Sequence, residues 1–192
     1  MTSTHAKSLR AAKLDTERLH LRPFKISDAA KVADLAGDYA VAQMCGRVPS
    51  PYLVIAAEGW IDIQAAKRDM GDGYAFAVAQ RDGPLVGSMG VARDGDLWEL
   101  GYWFGQPYWG LGYATEAGRA IMAWAHDSLG AETIVAGHFT DNNSSGRVLE
   151  KLGFKAIGVK QGFSLARGES APAMRYVWPA TNTSVTLEDM AH

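Results

Sequence analysis

The sequence predicts a mixed α/β domain whose sheet begins antiparallel and then includes one parallel strand–helix–strand unit. Apolar and polar residues alternate around 74–78, 85–91 and 97–104, and short turns with Asp-Gly separate these stretches, which is typical of an antiparallel meander. Residues 114–128 space their apolar side chains by three and four, as a helix does, and lie before a short strand at 133–138. The length of 192 residues, 47% of them hydrophobic, suits a single domain with a full core.

The segments on either side of this centre complete the domain. Residues 18–24 alternate as a strand, where Pro23 indicates either the end of the strand or an edge position, and Ser27 is expected to cap a short helix. A helix is predicted over 52–68. After the central unit, a helix at 144–152 is expected to end at Gly153, because glycine takes the left-handed conformation at low cost.

The last part of the chain predicts two strands, at 154–163 and 174–178, with a turn at 162–172. Residues 1–13 and 181–192 lack a core period, so we expect flexible tails on a single domain spanning 14–180.

Composition excludes several classes of protein. With a net charge of -2, the chain has no basic excess for a dedicated nucleic-acid binder. Cys45 is the only cysteine, so neither a disulfide framework nor a cysteine-based metal site can form, and no histidine or carboxylate cluster suggests a metal. The sequence shows neither a secretory signal nor a membrane span. We expect a cytoplasmic protein, and a homodimer is left open.

A glycine-rich loop stands immediately before the long helix. Gly110 and Gly112 allow a close approach to backbone N–H groups that have no partner within the first helical turn, and the helix dipole is positive there. A pyrophosphate could bind these groups without a lysine. The loop is neither a P-loop nor a dinucleotide fingerprint, and an ordinary strand-to-helix turn would also explain it.

Several ordered motifs carry a resemblance to a known family. Residues 109–114 resemble the acyl-CoA signature of the GNAT superfamily, with Gly112 and Ala114 at its small positions and Trp109 where Gln or Arg is usual. Residues 16–24, 99–117 and 142–154 resemble the RimJ/RimL-like acetyltransferases. The resemblance covers about residues 15–178, nearly the whole domain.

The resemblance implies a GNAT fold and acetyl-CoA as cosubstrate. In that fold the central sheet splays between its fourth and fifth strands, here 97–104 and 133–138, and the pantetheine arm of CoA lies in the gap. Backbone groups near Trp103 and Phe104 would pair with the pantetheine amides. The pyrophosphate would be held by the N–H groups of five consecutive residues, namely Leu111, Gly112, Tyr113, Ala114 and Thr115.

Acetyl transfer to an amine needs a proton acceptor for the amine and a donor for the departing sulfur. Glu99 is the expected base, because it lies in a strand among apolar neighbours and its position resembles the strand-four glutamate of some GNAT enzymes. A solvated surface carboxylate is the alternative. Ser145 matches the family's serine and could donate to the sulfur, or cap the helix, or do both. His138 could share the base role or line the amine pocket, although a lone histidine is more often structural.

Three further residues complete the predictions for the site. Asn142 is expected to contact CoA, with an Asx turn as the alternative. Arg147 could pair with a CoA phosphate, or be a surface charge or a partner of Glu150. Cys45 lacks an identifiable partner base, so we expect an inert thiol.

The expected activity is direct acetyl transfer in a ternary complex, without a covalent acyl-enzyme. The acceptor is either the N-terminal α-amine of a protein or a small-molecule amine, and the sequence leaves both open. The rival is a non-catalytic acyl-CoA-binding or interaction module, against which the presence of both Glu99 and Ser145 argues.

Overall fold

The fold is built on one eight-stranded sheet. The computed structural model describes residues 3–179 and 185–190. The strand order is β1-β2-β3-β4-β5-β6-β8-β7, and every neighbouring pair is antiparallel except β5 and β6. The strands are β1 Leu14–Asp15, β2 Leu19–Arg22, β3 Gly73–Gln80, β4 Leu85–Asp94, β5 Leu97–Phe104, β6 Ile134–Phe139, β7 Lys155–Ser164 and β8 Glu169–Trp178.

Helices cover both faces of this sheet. They are α1 Ser3–Arg10, α2 Ala29–Ala36, α3 Tyr39–Ala42, α4 Val54–Met70, α5 Tyr113–Leu129 and α6 Asn143–Lys151. Successive side chains of a strand point to opposite faces. Phe76 of β3 accordingly lies in one core cluster with the apolar face of α5, whereas its neighbour Ala77 lies in a second cluster with α2 and α4. The predicted mixed, mainly antiparallel sheet flanked by helices is confirmed.

The parallel pair β5–β6 separates partway along its length. The two strands pair only through Trp98–Leu100 and Ile134–Ala136, after which β5 runs on to Phe104 and β6 to Phe139. The divergence opens a gap at the C-terminal ends of both strands. These strands are the predicted 97–104 and 133–138, so the expected splay is present.

Most strongly periodic segments form the expected elements, with two local corrections. Ser27 was expected to cap a helix, but it lies in a 3-10 turn, Ile26–Asp28, and makes no capping bond. The Asp28 carboxylate instead accepts the Lys25 N–H at 2.8 Å and pairs with Arg22. The expected turn at 162–172 is also wrong in extent, because Ser164 pairs with Glu169 and only 165–168 form the turn.

The terminal segments take part in packing. Residues 1–13 were expected to be a flexible tail, yet they include α1, and Leu9 is buried in the main core. The buried guanidinium of Arg68 donates to the carbonyls of Leu9 and Arg10. Packed structure therefore begins before residue 14. At the other end, Met190 is buried against Val135 and Val177, whereas 181–184 and 191–192 of the expected C-terminal tail lie outside the described residues.

No helix in the described part of the chain is long and apolar enough to cross a membrane.

Candidate active site

The gap between β5 and β6 opens into a cavity of about 550 Å³. Its walls include Gly101–Trp103 on one side of the gap and Gly137–Phe139 on the other. Glu99 lies at its base, beside the last paired residues of the two strands. The cavity thus joins the splay to the expected base in one continuous space.

Alternate residues of β5 direct their backbone N–H and C=O groups toward the gap. The Gly105 N–H donates to Val86 of β4 at 3.0 Å, and Gly87 faces Phe104 in register. Hydrogen-bonded and non-bonded pairs alternate along an antiparallel ladder, so Trp103 turns its backbone groups toward β4, whereas Tyr102 and Phe104 turn theirs toward the gap. The gap-facing backbone groups are therefore those of Tyr102 and Phe104, whereas those of Trp103, which was expected to contact the pantetheine, face β4. Phe104 O already accepts the Trp109 indole N–H at 2.6 Å and retains a second lone pair.

The loop before α5 has the geometry expected of an anion cradle. Gly110 and Gly112 have φ angles of 76° and 81°, in the left-handed region that favours glycine. The first intrahelical bond is donated by Glu116 to Gly112 O. Within the described residues, the N–H groups of all five predicted residues, Leu111–Thr115, have no hydrogen-bond acceptor and remain available for a ligand.

Arg18 holds this cradle in place through hydrogen bonds. This role was not predicted from the sequence, although residues 16–24 carry part of the resemblance. The Arg18 guanidinium donates to Glu116 Oε2 at 2.7 Å and to Leu111 O at 3.0 Å, and stacks over the Tyr113 ring. Thr16 donates to the other Glu116 oxygen at 2.6 Å. Burial works against ionisation of Glu116, but these hydrogen bonds outweigh it and lower the pKa of Glu116. The network fixes the first turn of α5 to the segment just before β2.

Glu99 lies on the cavity face of β5, and its surroundings differ from those expected. Its sequence neighbours Trp98 and Leu100 point to the opposite face and belong to the α5 core. The partner of Glu99 is the buried guanidinium of Arg175 on β8, which donates to Glu99 Oε1 at 2.9 Å. Within the described residues, Oε2 has no hydrogen-bond donor. One carboxylate oxygen is therefore held and the other is available to the cavity.

Two glycines make room around this carboxylate. The guanidinium of Arg175 crosses β6 at Gly137, where a Cβ would lie 2.6 Å from Arg175 Nη1. Gly101 lies between Glu99 and Trp103 on the cavity face, and a Cβ there would meet nothing within 4 Å. Gly137 thus allows the ion pair to form, whereas Gly101 leaves open space next to Glu99.

Ser145 makes a hydroxyl pair with a tyrosine. Its Oγ lies 2.6 Å from the Tyr102 hydroxyl, where either oxygen could donate, and Ser145 O lies 3.1 Å from the same hydroxyl. Helix capping by Ser145 is wrong, because Asn142 is the N-cap of α6 and its Oδ1 accepts the Ser145 N–H at 3.2 Å. Burial raises the pKa of Tyr102 to about 12, although the bond to Ser145 opposes the shift. Tyr102 lies within the segment 99–117 that carries the resemblance, but no site role was predicted for it.

His138 lines the cavity with both ring nitrogens engaged. Its Nδ1 lies 2.7 Å from Phe139 O, a carbonyl that can only accept, so Nδ1 carries a proton. Nε2 then accepts from the Tyr176 hydroxyl at 3.2 Å. The ring lies close to α6, where a Cβ on Gly146 would be 2.8 Å from Nε2. This is the close packing that glycine permits.

The remaining predicted residues are placed as follows. Arg147 is exposed and donates to Ser144 Oγ at 3.2 Å, and it does not pair with Glu150. Cys45 lines the cavity, and burial raises the pKa of its thiol to about 12, which favours the unreactive thiol form. Across residues 3–179 and 185–190, no cluster of three or more His, Cys, Asp or Glu side chains could hold a metal ion.

Comparison with known proteins agrees with this geometry. The model of the family described as an acetyltransferase (GNAT) domain matches residues 18–155. The chain is 28% identical to the uncharacterized N-acetyltransferase YoaA of Bacillus subtilis over 159 residues, 81% of this chain and 89% of that protein.

Solved structures share the fold. The structure of a GNAT-family acetyltransferase from Bacillus anthracis superposes with a TM-score of 0.75 at 21% identity, covering 86% of this chain and 97% of that one. Mycobacterium smegmatis RimJ, solved in complex with CoA-disulfide, superposes with a TM-score of 0.73 at 19% identity, covering 94% and 88%. The family-model match over residues 18–155, together with the splayed sheet and the glycine cradle, shows that the chain belongs to the GNAT family and is an acetyltransferase.

Proposed function

We propose that this protein is an acetyl-CoA-dependent N-acetyltransferase that moves the acetyl group to a primary amine by direct attack in a ternary complex. The observation that carries the proposal is the single cavity that joins the β5–β6 gap to the free oxygen of Glu99. A CoA thioester entering through the gap would bring its acetyl carbon to a space bordered by a carboxylate.

Coenzyme A would be held along the gap and at the start of α5. The pyrophosphate would accept hydrogen bonds from the free N–H groups of Leu111–Thr115, and the glycine loop lets it approach them. The pantetheine amides would pair with the gap-facing backbone of Tyr102 and Phe104. Asn142 and the exposed Arg147 are further proposed contacts. The complex of the neighbouring RimJ with CoA-disulfide supports a CoA site in this fold.

Glu99 would act as the base. The attacking amine must be neutral, so a protonated amine first gives its proton to Oε2, directly or through water. The nitrogen lone pair then forms the N–C bond, and the C–S bond breaks with its electron pair remaining on sulfur. The second proton that the nitrogen loses passes to the thiolate or to solvent. We propose Glu99 rather than His138 for this step, because both ring nitrogens of His138 are already engaged.

Ser145 would donate to the departing sulfur, and Tyr102 would orient it. A tyrosine with a pKa of about 12 keeps its proton at neutral pH and is a poor acid, so we propose that it directs its single proton to Ser145 Oγ rather than to Ser145 O. A serine that accepts this bond has its own proton free for the thiolate. Tyr102 is therefore a positioning residue.

The test is acetyl-CoA turnover with a panel of primary amines, in which the release of free CoA thiol is monitored. The proposal expects thiol release that depends on the amine, together with an acetylated amine as product. The rival, a non-catalytic acyl-CoA-binding module, predicts binding of acetyl-CoA without thiol release for every amine.

A further inference from the structure

The outer wall of the cavity is closed by bonds between two loops. One is the segment after α3, residues 43–48, and the other is the tip of the β7–β8 hairpin. The Ser164 hydroxyl donates to Cys45 O at 3.1 Å, the Leu165 N–H to Gly46 O at 3.0 Å, and Arg167 Nε to Gln43 O at 2.7 Å. Arg167 also forms a two-oxygen ion pair with Asp141, next to the N-cap of α6.

This wall disfavours a protein N-terminus as the acceptor. An extended peptide is bound most readily where a loop or strand edge offers free backbone groups. Here the carbonyls of Gln43, Cys45 and Gly46 already accept hydrogen bonds from the hairpin. The cavity volume of about 550 Å³ is that of a small-molecule site.

The cavity lining suits an apolar body. Five large apolar or aromatic side chains surround the space next to Glu99, namely Met44, Val48, Trp60, Trp103 and Phe163. Burying apolar surface against them contributes about 25 cal/mol per Å². An acceptor with a ring or branched chain gains this term, whereas a fully polar one does not.

The charged side chains of the cavity lining determine which charge on the acceptor is favoured. Glu99 and Arg175 neutralise one another in their ion pair. Arg47 also lines the cavity, is exposed, and has neither an ion pair nor a side-chain hydrogen bond within the described residues. The lining therefore carries one uncompensated positive charge, which repels polycations and can bind a carboxylate or a phosphate through its guanidinium.

We infer that the acceptor is a small primary amine with an apolar body and one anionic group, which Arg47 binds while the amine meets Glu99. The inference rests on the proposed function and names its substrate class. Protein N-termini and polyamines are outside that class.

A matched series of amines tests the inference. The compounds are para-(aminomethyl)benzoate, its phosphonate analogue, the corresponding carboxamide and para-xylylenediamine, which share one ring and one aminomethyl group and differ in the charge of the far substituent. A neutral, C-terminally amidated peptide with a free N-terminus represents protein acceptors. For each, kcat/KM is measured by thiol release with acetyl-CoA in excess.

The kcat/KM of an anionic compound is expected to exceed that of the carboxamide by about tenfold, the scale of a charge-assisted hydrogen bond. Comparing the benzoate with the phosphonate shows which anion is preferred. The kcat/KM values of the diamine and of the peptide are expected to lie below that of the carboxamide. Arg47→Gln should bring the anion-to-amide ratio close to one. Arg81→Gln, an equal charge change at an exposed turn outside the cavity lining, should keep that ratio.

The inference is overturned if the diamine or the peptide is the best substrate, or if Arg47→Gln leaves the anion-to-amide ratio unchanged. Absence of thiol release with every amine would instead contradict the proposed function. In that case calorimetric binding of the four aryl amines to the CoA complex decides the inference, and tighter binding of the carboxamide than of either anion overturns it.

Discussion

The contact between Tyr102 and Ser145 gives the sharpest mechanistic prediction. Tyr102→Phe keeps the ring in place and removes only the hydroxyl that lies 2.6 Å from Ser145 Oγ. A hydrogen bond of this kind contributes about 0.5–1.5 kcal/mol. At about 1.4 kcal/mol per factor of ten, acetyl transfer should slow roughly two- to tenfold.

A double-mutant cycle separates positioning from mere packing. Single-turnover acetyl transfer is measured for wild type, Tyr102→Phe, Ser145→Ala and the double variant, together with acetyl-CoA affinity. If Tyr102 acts through Ser145, its substitution adds nothing once the serine hydroxyl is gone, and acetyl-CoA affinity stays the same. Tyr74→Phe is the control, because Tyr74 packs in the core on β3, outside the cavity lining, and should combine additively with Ser145→Ala.

The reasoning is refuted if Tyr102→Phe slows the Ser145→Ala enzyme as much as it slows wild type, since Tyr102 would then act independently. An unchanged rate in Tyr102→Phe alone would likewise remove the positioning role and leave Ser145 without its proposed partner.

Other substitutions test the remaining parts of the site. Glu99→Gln keeps an acceptor for Arg175 and removes the base, so kcat should fall by about 10² with acetyl-CoA affinity unchanged; a surviving kcat would move the base role to His138. Gly101→Val adds a side chain where a Cβ meets nothing within 4 Å, so thermal stability should persist while turnover falls about tenfold or more; normal turnover would mean that the reactants do not cross this space. Gly112→Glu places a carboxylate in the cradle and should weaken acetyl-CoA binding about tenfold or more, about 1.4 kcal/mol, and unchanged calorimetric affinity in a folded variant would contradict the cradle. Cys45, whose pKa is raised to about 12, should resist iodoacetamide at about pH 8 and react only as the pH approaches that value; rapid labelling of the native protein at about pH 8 would contradict this.

The sequence predicted those parts of the fold that carry a regular period. Helix α5 and strand β5 were recovered nearly to their ends, because both bury one continuous apolar face. Helix α3 was missed, since four residues are too few to show a period. The ends of β7 and β8 were read as a turn because Gly162 and Pro172 have low strand propensity, which cross-strand pairing overrides.

The site was predicted less completely, because its contacts cross the sheet. Arg175 reaches Glu99 from β8, across β6 at Gly137, and no local pattern reports that meeting. For the immediate surroundings of Glu99, the sequence did contain a usable signal. The strand period of two already places Trp98 and Leu100 on the face opposite Glu99, and a glycine inside a strand, as at Gly101, often marks space for a ligand.

The most direct test of direct acetyl transfer is a single-turnover experiment on the preformed acetyl-CoA complex. The complex is mixed with an amine that turns over, and mass spectrometry follows the intact protein and the amine at successive times. The account predicts that the acetyl group appears on the amine at the rate at which CoA thiol is released, with no acetylated protein at any time. An acetyl-protein species that forms and decays before product appears, or thiol release without an acetylated amine, would contradict it.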